Sequence, residues 1–255
     1  MNKRCYLLLL LMSAMVSLLF SSCASTDFNR IPRTSFIQHY NEINDPRSPF
    51  ICGWDCQTNE EWNASVNGKR YLYVSPVTLQ YFQGPSKTEA DVKQIEGLRS
   101  YFDTRLREEL AKASQKHPNL ILVDKPTPGA WKLEVALLSA KSVSVGKNAL
   151  VAGAGQAVGG GFIFNHVINS KEDSKGSVSM AARVTNGSGK RVTEVADFEY
   201  GMGSLTGMVL VDTKDFRPYA YQRQSIDHWA KEFAELFTTT AETSVSRPRF
   251  FLNPF

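Results

Sequence analysis

Cysteine supplies the most reactive side chains of this 255-residue chain, at positions 5, 23, 52 and 56. Cys52-Gly-Trp-Asp-Cys56 brings two thiols close enough to pair across a tiny loop in an oxidising compartment, so the expectation is a disulfide that orders a local turn. A zinc shell needs further donors, and no His or third Cys stands beside the pair; the thiol redox motif has two intervening residues where this one has three. Other catalytic patterns are missing. His39, His117, His166 and His228 are scattered, with no paired-histidine zinc motif, and there is no Gly-x-Ser-x-Gly elbow. His228 reads as a surface imidazole beside Trp229. Asp212, Asp215 and Asp227 are too dispersed to define a calcium loop, and Asn63-Ala-Ser65 fits only a glycosylation pattern. The expectation is a protein that is not an enzyme and that needs no metal or cofactor.

Cys23 has a different context. Lys3 and Arg4 precede an uncharged apolar run from Tyr6 to Phe20, too short for a good membrane span, and Ser21-Ser22 place two small residues directly before the cysteine. This ending resembles the bacterial lipobox, with Phe20 standing where an aliphatic residue is usual. The resemblance implies a signal peptide over residues 1–22 and a lipidated Cys23 at the mature N-terminus. Each buried acyl methylene contributes about 0.8 kcal/mol, so such an anchor holds a domain to a lipid bilayer without a spanning helix. Ala24 and Ser25 resemble the outer-membrane sorting pattern, which implies an outer-membrane lipoprotein facing the periplasm.

The elements that must position any site come next. Formal charge is only +4, and no basic run interleaved with aromatics points to nucleic acid. Residues 23–70 carry Pro32, Pro46, Pro49, Asn67 and Gly68 without sustained periodicity and read as an irregular tethering arm. Phe36, Ile37, Tyr40, Ile43, Phe50, Trp54 and Trp62 make part of that arm too apolar to stay in water. The domain is expected over residues 71–243, with a tail at 244–255. From Arg70 to Phe82, Tyr71, Tyr73, Val74, Val77 and Leu79 read as a strand, with Pro76 placing a bulge or an edge position within it. Thr88-Glu-Ala-Asp91 signals a helix start, and Val92, Ile95, Leu98, Phe102, Leu106, Leu110 and Ala113 continue at helical spacing. Lys93, Arg99, Arg105, Arg107, Glu108 and Lys112 read as its solvated face, and His117-Pro118-Asn119 as its end.

Leu120–Val123, Trp131 to Val145, Val178 to Val184 and Val192 to Phe198 read as further strands, the last two joined through Asn186-Gly-Ser-Gly189. A closing amphipathic helix spans Ile226 to Phe237, with Ser225 as the expected cap. The fold class that follows is α/β: a single two-layer sandwich, a mixed sheet of about five strands with two main amphipathic helices. Between residues 148 and 170 lies an uncharged, glycine-rich insert containing Gly153, Gly155 and Gly159-Gly-Gly161. It fits no nucleotide-binding pattern. Its Gly155 and Gly159 have the spacing of close helix contacts in membranes, but packing within the domain is the expected outcome.

Thr34-Ser-Phe-Ile-Gln-His-Tyr-Asn-Glu-Ile43, Tyr71-Leu-Tyr-Val-Ser-Pro-Val77, Asn186-Gly-Ser-Gly-Lys190 and Ile226-Asp-His-Trp-Ala230, in that order, resemble an uncharacterised family of bacterial outer-membrane lipoproteins. In architecture such domains look similar to the N-terminal domain of the Tol-Pal propeller protein and to the curli secretion lipoprotein. The resemblance implies a noncatalytic envelope protein that binds an envelope partner, the alternative being an oligomeric secretion- or pore-type lipoprotein that inserts residues 148–170.

Overall fold

Hydrophobic alternation in the strands and a 3.6-residue stripe in the helices build a sheet with helices on one side. The computed structural model describes residues 31–40, 42–43, 50, 52–55, 57–84, 88–141, 176–200 and 219–240. Among these, the strands are β1 (Cys52–Asp55), β2 (Arg70–Val74), β3 (Leu120–Val123), β4 (Trp131–Lys141), β5 (Ser177–Thr185) and β6 (Arg191–Tyr200). The helices are α1 (Asn59–Asn67), α2 (Glu89–Lys116) and α3 (Ala220–Leu236). The strand order is β1-β6-β5-β4-β2-β3. β2 runs parallel to β3 and β4, α2 forming the crossover from β2 to β3, and the β4-β5-β6-β1 half is antiparallel.

The expected α/β sandwich is present, with one more strand and one more helix than the sequence patterns predict. Both extra elements, β1 and α1, lie between residues 52 and 67, where no periodic pattern announces them. β1 has four residues, and α1 buries none of its own, so neither could display a period. α1 is instead fixed at its start by the Thr58/Glu61 capping box. β2 stops at Val74, short of the expected Leu79, because Pro76 has no amide to donate. Ser75 and Thr78 N–H groups still bond Leu133 and Val135 carbonyls at 2.9 and 3.0 Å, carrying the chain along β4.

α2 begins at the predicted capping box of Thr88 and Asp91, and His117 caps its end. Ile95, Leu98, Phe102, Leu106, Leu110 and Ala113 are its buried stripe. The arginines of its opposite face are not simply solvated. Arg107 donates to the Val74 carbonyl at 2.8 Å and Arg99 to that of Val77 at 3.3 Å, while Asp103 accepts the Val77 N–H at 3.0 Å. These side chains hold the segment after β2 alongside its remaining backbone bonds to β4.

Asn186 Oδ1 accepts the Ser188 and Lys190 amides at 3.1 and 3.0 Å, and Gly189 has φ +81°, so the predicted β5–β6 hairpin forms by Asx-turn chemistry. The closing helix starts earlier than predicted. α3 begins at Ala220 with Tyr219 in the left-handed region at φ 62°, and Ser225 is not its cap. The Ser225 hydroxyl donates to the Tyr221 carbonyl one turn back, at 3.2 Å, as an interior helix serine does. Trp229 and Phe233 are wholly buried, with Phe102 of α2 5.8 Å from Trp229 between ring centres.

Candidate functional site

At the centre of the sheet, the side chains that alternate away from the helices do not face solvent, although Tyr71 of β2 on the same face is 46% exposed. Register aligns Ala136 of β4, Ala181 of β5 and Ala196 of β6 in a row across the outer face of the sheet, with Thr78 and Cys52 at its two ends. All three alanines are wholly buried. Ile31, Phe36, Ile37 and Ile43 pack over these small side chains and Leu138 as an apolar cluster distinct from the helix-side core. The arm is thus a third partial layer, laid across the sheet without secondary structure of its own over residues 31–40.

The neighbouring row is charged. Glu134, Arg183 and Glu194 pair in register across β4, β5 and β6, followed by Trp54 on β1. Arg183 donates to both carboxylate oxygens of Glu134, at 2.9 and 3.2 Å, and to the Phe36 carbonyl at 3.3 Å. Its guanidinium also lies 4.5 Å from the centre of the Phe36 ring. Glu194, with no exposed surface, accepts the Gln38 and His39 amides at 3.1 and 2.9 Å, His39 Nδ1 at 3.1 Å and Arg191 Nη1 at 2.5 Å. The His39 ring stacks on Trp54 with centres 3.6 Å apart, and Trp54 Nε1 donates to Glu42 at 3.1 Å. One sheet face therefore grips both hydrogen-bonding sides of a short peptide: Arg183 takes a carbonyl, Glu194 takes two amides, and the alanine row receives the apolar side chains.

Electrostatics support the grip. Burial alone raises the pKa of Glu134, but hydrogen bonds and charge from Arg183 and Lys132 outweigh it and hold its carboxyl below the usual range. Arg183 is correspondingly raised by its bond to Glu134.

A second constellation lies on the helix side. Arg70, 4% exposed, sits among Trp131, Phe237 and Trp62 with ring centres 5.0, 5.2 and 5.6 Å from its guanidinium carbon. It donates to the Phe237 carbonyl at the end of α3, and its Nε has no hydrogen-bond partner. Desolvation lowers its pKa to about 10. Three ring faces and the negative end of a helix dipole offset the cost of burying this cation, so Arg70 is a structural cap for α3.

The residues singled out in the sequence fall in varied places. Cys23, Cys56, His166, Asp212 and Asp215, the insert at 148–170 and the tail at 244–255 lie outside the described residues. Cys52 is in β1, its backbone opposite Ala196. Asp227 accepts from Tyr101 at 2.9 Å and Arg105 at 2.7 Å, tying α3 to α2 through an arginine that also pairs with Glu108 and Glu109. His228 approaches Glu199 at 3.9 Å. Among the described residues no cluster of His, Cys, Asp or Glu could hold a metal ion, and no helix is long and apolar enough to cross a membrane.

The geometry defines a sheet-and-helix domain with a peptide-gripping outer face. Residues 61–233 match the family described as Protein of unknown function (DUF3313), and the chain belongs to that family. No functionally curated protein matches. Two similar solved structures are PelC dodecamers from Paraburkholderia phytofirmans. One, a point variant in space group C2, has 9% identity and a TM-score of 0.30, covering 66% of this chain and 87% of that one. The other, in space group P6, has 12% identity and a TM-score of 0.29, covering 68% and 89%. The expected likeness to the N-terminal domain of the Tol-Pal propeller protein and the curli secretion lipoprotein has no support in these matches.

Proposed function

We propose that this chain is a lipid-anchored envelope protein, a noncatalytic interaction module tethered to the outer membrane through acylated Cys23. The observation that carries the reading is the docking of residues 31–43 on the outer sheet face. A segment that begins eight residues after the lipidation motif is bound to the domain by the half-buried Arg183 and the buried Glu194, and through its own four buried apolar side chains. Such a connection hands the bilayer attachment to the sheet and leaves α2 and α3 on the opposite side, available to a periplasmic partner. Photocrosslinking from an unnatural residue at the exposed positions Val92 or Thr104 of α2, in intact envelopes, tests this. A discrete crosslinked envelope protein is expected. Crosslinks that form equally from Tyr71 on the outer sheet face would remove the argument for a helix-side partner surface.

A further inference from the structure

The geometry points to a lipid-facing surface: the half of the outer sheet face over β2 and β3 rests on anionic phospholipid headgroups and turns α2 and α3 away from the bilayer. The inference deepens the reading above and rests on the lipidation of Cys23.

The arm's apolar cluster covers the outer face over β4, β5 and β6. On the other side of β4, register sets Tyr71 beside Ile121, and Tyr73 beside both Val123 and Lys132. Leu72, Val74 and Leu120 point into the helix-side core, so alternation puts Tyr71, Tyr73, Ile121 and Val123 together on the outer face. None of these four belongs to either apolar cluster, and each keeps accessible surface, Tyr71 as much as 46% of its own. Water alone does not select two tyrosines and two branched aliphatics side by side. A tyrosine has an apolar ring and a polar tip, which suits it to the boundary between headgroups and acyl chains.

The surroundings of the patch are cationic. Lys132 lies within it, and Lys69, Lys125 and Lys190 are exposed just before β2, two residues after β3 and just before β6. Glu134 bonds both Lys132 and Arg183, so that trio keeps a net positive charge. Asp124, between Val123 and Lys125, is the exposed acid beside them. Lysines around an aromatic patch are drawn to the negative potential of an anionic leaflet, while their aliphatic stems lie along apolar surface.

The anchor acts on the same side. Covalent geometry keeps Cys23 within about 30 Å of Ile31 whatever path the chain between them takes. Ile31 itself packs on the outer face, so acyl chains at Cys23 draw that face toward the bilayer, with the α2–α3 layer behind the sheet.

The test places the full lipidated chain on two kinds of vesicle, phosphatidylcholine alone and phosphatidylethanolamine with phosphatidylglycerol. Flotation reads anchoring, and hydroxyl-radical footprinting with peptide mass spectrometry reads Tyr71 against Val92 of α2, which is 53% exposed. The expected result is flotation with both vesicles and Tyr71 oxidation lower by about threefold or more on the anionic ones, with Val92 unchanged. High salt and the Lys69→Glu/Lys125→Glu variant, at exposed positions that should leave the melting midpoint alone, are each expected to erase the difference. Floating protein with Tyr71 equally oxidised on both vesicles, or with Val92 protected instead, would overturn the lipid-facing surface and leave the anchor standing. Protection of Tyr71 in native envelopes but not on anionic vesicles would overturn it in favour of a protein partner. A wild type that floats with neither vesicle would refute the anchor and the orientation together.

Discussion

Arg183 holds Phe36 in two ways at once, donating from Nη1 to its carbonyl at 3.3 Å and lying 4.5 Å from the centre of its ring. One guanidinium thus fixes both the backbone and the side chain of the arm, and Glu134 beneath it fixes the guanidinium.

Acid should weaken this arrangement. Glu134 has a folded-state pKa below its unfolded value, so its contribution to stability is complete above the usual carboxylate range and is lost as pH falls through the lower, folded value. Urea midpoints measured from pH 6 down to pH 3 are expected to fall, with a shallower fall in Glu134→Gln. An identical pH profile in the variant would contradict the role given to this carboxylate.

Enlarging the alanine row should expel the arm. Ala181 is wholly buried between Ala136 and Ala196, so Ala181→Leu adds volume where Phe36 and Ile37 pack and should cost about 1–3 kcal/mol. Trypsin should then cut after Arg33 faster than in the wild type. Unchanged cleavage and stability would mean that the row does not seat the arm.

The helix-side core makes a sharper contrast. Phe102→Ala, at a wholly buried position, should cost about 3–5 kcal/mol, whereas Val92→Ala, at 53% exposure on the same helix, should stay within about 0.5 kcal/mol. Thermal denaturation of the two variants measures the difference.

Arg70→Lys should not be conservative. A lysine ammonium is more strongly hydrated and cannot stack flat among Trp62, Trp131 and Phe237 while reaching the Phe237 carbonyl. Loss of the cap and of the stacking should destabilise the domain by about 1–3 kcal/mol. Equal midpoints for Lys and Arg would show that charge alone matters at this position.

The long helix, five of the strands and the Asn186 turn were legible because their signals are local: a capping box, an apolar stripe of which six residues are buried and only Val92 is exposed, alternation, and an Asx turn before glycine. The outer-face site was not. Arg183 and Glu194 occupy positions where alternation predicts solvent, and their partners include the distant arm, 147 residues away in sequence from Arg183 at Phe36. One trace was present, since Ala136, Ala181 and Ala196 are small at positions where a solvated strand favours polar side chains. Ser225 misled for a related reason: a serine before an apolar run is a common cap, but α3 starts five residues earlier, where Tyr219 takes a left-handed conformation that no sequence rule favours.

The central claim, that lipid at Cys23 tethers a domain whose outer face holds the following arm, is tested most directly by intact-mass and peptide mass spectrometry of the protein extracted from membranes, with Cys23→Ala alongside. The account predicts a mature N-terminus at Cys23 bearing acyl chains, and a variant that is released from the membrane or accumulates as the uncleaved precursor. A wild-type N-terminus at another residue with no lipid, or a Cys23→Ala protein that is still acylated and membrane-bound, would contradict it.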